Sequence, residues 1–141
     1  MIDDDLLKEL EAAASVMHDV TQLSDEAAKD CAERLAKAYL TDSSYRWWWE
    51  AVSGPTKRIS YGDADGLSTM AGLVGAACAA VLVITDDEDP PWPVYAGSVG
   101  SLLVMLGNCR FCEYFLAAED GRWIVFDTHM NELVVAGQLA A

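Results

Sequence analysis

Residues 108–137, NCRFCEYFLAAEDGRWIVFDTHMNELVVAG, decide how this chain folds. Two strand-like stretches, 110–117 and 122–128, flank Glu119-Asp120-Gly121. An Asp-Gly step between hydrophobic runs is a strong hairpin signal, because both residues tolerate the positive φ a tight turn requires. A second turn at 129–131 leads into ELVVAG, so the C-terminal third reads as a three-stranded antiparallel meander.

Working outward, AAVLVIT at 79–85 is a short continuous apolar run, the pattern of a strand buried on both faces. TKRISYG at 56–62 adds a short strand after the Gly54-Pro55 break. Four helices accompany these strands. Leu6, Leu10, Ala13, Met17 and Val20 recur at alternating spacings of four and three, and Asp3, Asp4 and Asp5 sit where a helix N-terminus favours carboxylates. Ser24 caps a second helix with an Ala28, Cys31, Leu35, Tyr39 stripe. A third helix begins near Asp65, and a fourth runs from a Ser98 cap to Gly107 as terminator. The prolines at 90, 91 and 93 make the intervening acidic segment a loop. The expected fold is α+β: an antiparallel sheet of about five strands with helices on one face, in a single domain covering 1–141.

The chain carries 23 acidic and 9 basic side chains, a formal charge of −14, around a composition that is 52% hydrophobic. That combination builds a packed core inside an acidic shell. Such a shell disfavours nucleic acid and anionic membranes, whose binding rests on Lys and Arg, and suits a basic protein partner. The apolar run at 70–84 is too short to span a bilayer. MIDDDLLKEL has neither the basic start nor the apolar segment of a secretory signal, so the expected location is cytoplasmic, with Cys31, Cys78, Cys109 and Cys112 reduced.

Catalytic signals are sparse. Cys109-Arg-Phe-Cys112 is a C-x-x-C, but it falls at the expected start of a strand rather than of a helix and has no second ligand pair, which favours buried thiols over a redox or zinc site. Asp127 with His129 could form an acid–base pair, or His129 could simply be a hydrogen-bonding turn residue. Neither a phosphate-binding glycine loop nor a G-x-S-x-G elbow is present. The expectation is no catalytic residue, no metal and no cofactor, with a small hydrolase as the weaker alternative.

SYRWWWEAV at 44–52 places three tryptophans in succession. Neither strand nor helix geometry aims Trp47, Trp48 and Trp49 into one core, so two are expected to close a core and one to meet its margin. The segment TDDEDPPWPVYAG sets four acids before a proline-stiffened indole. The candidate partner-binding residues are therefore Asp86, Asp87, Glu88 and Asp89 for charge, with Trp92 and Trp48 as aromatic anchors. A solvated loop whose Trp92 folds back on the sheet is the plainer reading.

RWWWE, VLVITDDEDPPWPVYAG, CEYFLAAEDGRWIVFDTHMN and ELVVAG, in that order, resemble a family of small uncharacterised bacterial proteins over residues 47–137. The shared pattern is a W-W-E segment, P-W-x-V-Y-x-G, an E-Y strand, a W-I strand and an N-H-H-N-like turn. Here that turn, Asp127-Thr128-His129-Met130-Asn131, keeps one histidine. In type these proteins are similar to toxin-immunity proteins. The resemblance implies binding to the C-terminal domain of a cognate bacterial toxin, as in contact-dependent inhibition, with a non-catalytic interaction or structural role as the alternative.

Overall fold

A computed structural model describes residues 2–42, 47–86, 91–128 and 130–139. The chain runs α1 (Asp4–Ser15), β1 (Thr21–Gln22), α2 (Asp25–Tyr39), a 3-10 turn (Trp48–Glu50), β2 (Thr56–Ser60), α3 (Gly66–Leu73), β3 (Ala79–Ile84), β4 (Val94–Ser98), α4 (Val99–Gly107), β5 (Tyr114–Ala118), β6 (Trp123–Asp127) and β7 (Glu132–Gly137). Seven strands form one antiparallel sheet in the order β1-β4-β3-β5-β6-β7-β2.

The five strands read from the sequence are β2, β3, β5, β6 and β7; the two additional ones are β1 and β4. The helix starts follow the capping chemistry. Ser24, Asp65 and Ser98 accept hydrogen bonds from the backbone N–H groups of Ala27, Leu67 and Ser101, and Asp3 does the same for Asp5. Gly107 is the last residue of α4 rather than its terminator, and Asn108 follows as the cap. The segment before β5 also differs from expectation. Residues 110–113 are not strand, because the Arg110 backbone N–H donates to Glu9 of α1 at 2.8 Å instead of to a neighbouring strand.

Alternate residues of the central strands feed two cores. Leu82, Leu116 and Val125 face α1, α3 and α4, against Leu6, Leu10, Met70, Leu102 and Met105. Val83, Phe115, Ile124 and Val134 face α2 and the tryptophan turn, against Ala28, Cys31, Leu35, Trp48 and Trp49. Three helices thus share one face, and the opposite face is covered as well, by α2. Full coverage explains why β5 and β6 are buried at every position, Asp127 included.

The β5–β6 turn closes with Gly121 at φ +79° and its N–H donating to Ala118 at 2.9 Å. Gly137 ends β7 at φ +84°, against the Arg122 carbonyl where a side chain would collide. The outermost strand β2 presents Lys57 and Arg58, charges that discourage edge-to-edge pairing. Among the described residues, no helix is long and apolar enough to cross a membrane.

Candidate functional site

The chain brings candidate residues together at two places, on opposite faces of the sheet. On the α2 face, Trp48 meets Trp92 edge to face with ring centroids 4.9 Å apart, and Phe115 stacks on Trp48 at 5.8 Å. Trp47 lies over Trp49 at 6.0 Å. Trp48 and Trp49 are buried while Trp47 is partly exposed, the division expected of the triple tryptophan. The local cause is a short 3-10 turn following an extended Trp47, which sends successive indoles in different directions.

Trp92 does not project from the acidic loop. It is 5% exposed, packed on Trp48 and Phe115, because the indole gains more from the core than from water. Both candidate anchors are accordingly floor rather than rim of a groove of about 720 Å3 along α2, whose walls include Ala28, Ala32, Lys37 and Pro91. Asp86 lies off this groove. Its backbone adopts φ +38°, its N–H donates to the Glu113 carbonyl, and its carboxylate accepts from the Glu113 N–H at 3.3 Å. Asp87, Glu88, Asp89 and His129 lie outside the described residues.

On the other face, Asp127 ends β6 at the base of a pocket of about 450 Å3. Register places Tyr114 of β5 directly opposite it. The Tyr114 hydroxyl donates to Oδ2 at 2.9 Å, and Tyr61, one residue beyond β2, donates to Oδ1 at 2.6 Å. Gly66 at the start of α3 lies so close that a Cβ there would stand 2.7 Å from Oδ2 and 3.0 Å from the Tyr61 ring. Asp65, Arg110, Phe111 and Cys112 complete the wall.

Burial raises the Asp127 carboxyl above its ordinary value; the two phenol hydrogen bonds pull it down and the Asp65 charge pushes it up. Burial likewise raises both phenols, reinforced by the carboxylate they contact. At neutral pH Tyr61 and Tyr114 are donors, not bases. Cys112 is pushed up to about 12, chiefly by burial, so it remains a thiol. Cys109 is also raised by burial and sits over the Met105 carbonyl at 3.3 Å, and all four cysteines are free. Among the described residues no three side chains of metal-ligating type converge.

The arrangement can hold a hydrogen-bonded carboxylate in a lined concavity. Glu132 does not join it, being engaged by Arg58 at 2.6 Å. Sequence reasoning singled out Asp127 but missed Tyr61 and Gly66 as its neighbours. The available signal was a lone acid closing the apolar run WIVF. No protein-family model, curated protein or solved structure matches this chain.

Proposed function

We propose that this protein is an immunity-type binding protein, which neutralises the C-terminal domain of a cognate bacterial toxin by offering an acidic surface to a basic one, without catalysis of its own. The observation that carries the reading is where the charge lies. Among the described acids only Asp127 is buried, while Asp3, Asp4 and Asp5 at the head of α1 and Asp25, Glu26 and Asp30 on α2 are exposed. With a formal charge of −14, their summed field attracts a partner that carries a cationic cleft for phosphate-rich substrates. Complementary potential of this kind speeds encounter and selects partners, and the groove floored by Trp48 and Trp92 supplies an apolar seat beside it.

The test is calorimetric titration with the C-terminal domain encoded immediately upstream of the gene, at low and at physiological salt. Nanomolar binding that weakens as salt rises is the expected result. Absence of binding at both salts overturns the proposal. Tight but salt-independent binding overturns its electrostatic basis and favours an interface built on the tryptophan groove.

A further inference from the structure

The Asp127 pocket is not used by that reading, and its chemistry is specific. Asp127 is 8% exposed, and no lysine or arginine among the described residues pairs with it. Arg110, the base on the pocket wall, is committed to Glu9, whose carboxylate accepts from both its Nε, at 2.7 Å, and its backbone N–H. A carboxylate accepts about four hydrogen bonds. Asp127 receives one at each oxygen, both from neutral phenols. Taking a carboxylate out of water without a cation is costly, and phenol donors offset only part of that cost.

Three further features belong to the same cavity. Gly66 leaves bare the side of Oδ2 that a Cβ would cover. Phe111 stands 75% exposed at the wall and presents an aromatic face to the cavity mouth. Asp65 adds a second negative charge near the opening. An anion is excluded by this lining, and a metal ion lacks a third ligand among the described residues. The volume of about 450 Å3 falls in the range of small-molecule sites.

We infer that this pocket binds a small organic amine, its ammonium group donating to Asp127 and its apolar body lying against the rings of Tyr61, Tyr114 and Phe111. The ammonium supplies the missing cation, and its remaining charge faces the aromatic π surfaces. The tyrosine hydroxyls hold the carboxylate in place and are positioning residues.

The probe is 2-phenylethylamine, titrated into the full chain and followed by backbone amide NMR, with the neutral 2-phenylethanol as control. Saturable shifts centred on Gly66, Phe111 and Asp127 are expected with the amine and none with the alcohol. Asp127→Asn should weaken binding about 10-fold or more, the worth of a charge-assisted hydrogen bond. Phe111→Ala, altering an exposed ring, should leave the fold intact and weaken binding severalfold. Absence of saturable shifts, shifts centred elsewhere, equal binding of the alcohol, or undiminished binding by Phe111→Ala would each overturn the inference. Should Asp127→Asn fail to fold, the alcohol control and Phe111→Ala decide the matter. Toxin titration and amine titration read different surfaces, so either proposal can fail alone.

Discussion

Asp127 closes β6 with a carboxylate after four apolar residues, and its environment sets the sign of its contribution to stability. Burial holds its carboxyl above the ordinary aspartate value of about 3.9, so in the window above that value the folded chain keeps a proton that the unfolded chain has lost. The group therefore favours folding most at pH below the unfolded value, and that benefit is lost as pH rises through the folded one. Glu9 and Asp120 behave oppositely, since hydrogen bonds from Arg110 and Arg122 hold their carboxyls below the usual range. Their contribution is lost as pH falls. Both are present in Asp127→Asn, so they cancel when wild type and variant are compared. Urea melts from acid to neutral pH should show wild type losing stability relative to Asp127→Asn as pH rises. Wild type gaining stability relative to Asp127→Asn as pH rises would mean that the phenol hydrogen bonds outweigh burial.

Individual elements differed in how plainly the chain announced them. Caps at Ser24, Asp65 and Ser98 were legible because each is a small polar residue at the head of an apolar period. β4 was not, because it follows Pro91 and Pro93 and its last residue, Ser98, is also the cap of α4; strand and helix share one residue with no turn between them. β1 is two exposed residues that carry no periodic signal, and only pairing with Tyr95 and Ala96 defines it. The Tyr61–Asp127–Tyr114 cluster required the register of distant strands, since Tyr61 lies 66 positions from Asp127. The 3-10 turn at Trp48–Glu50 was legible only in outcome, through the argument that consecutive indoles cannot share one core. Trp48 is its keystone, wedged between Trp92 and Phe115. Trp48→Ala should cost about 3–5 kcal/mol in urea melts, as removal of a buried large aromatic does. A loss of a few tenths would show that the turn is dispensable to the α2-side core.

At the scale of the whole molecule the dominant fact is self-repulsion. A chain of 141 residues carries a formal charge of −14, and among the described charged residues only Asp127 is buried, the rest lying around two cores. Three ion pairs, Arg58–Glu132, Arg110–Glu9 and Arg122–Asp120, are formed among the described residues, all of them substantially exposed. Exposed pairs contribute about 0–1 kcal/mol each, and salt weakens them. Salt also screens the repulsion between like charges, which acts over the whole surface: the screening length falls from about 30 Å at 0.01 M to about 8 Å at 0.15 M. Because acidic side chains outnumber basic ones 23 to 9, relief of repulsion should win. The urea midpoint is therefore expected to rise as sodium chloride is raised over that range at neutral pH, with the slope of the transition unchanged. Using chloride rather than sulfate keeps strengthening of apolar burial small, so a rise reports screening. A midpoint that falls with salt would reverse the argument, by showing that the arginine pairs outweigh the acidic shell, and would leave the acidity to be explained by binding alone.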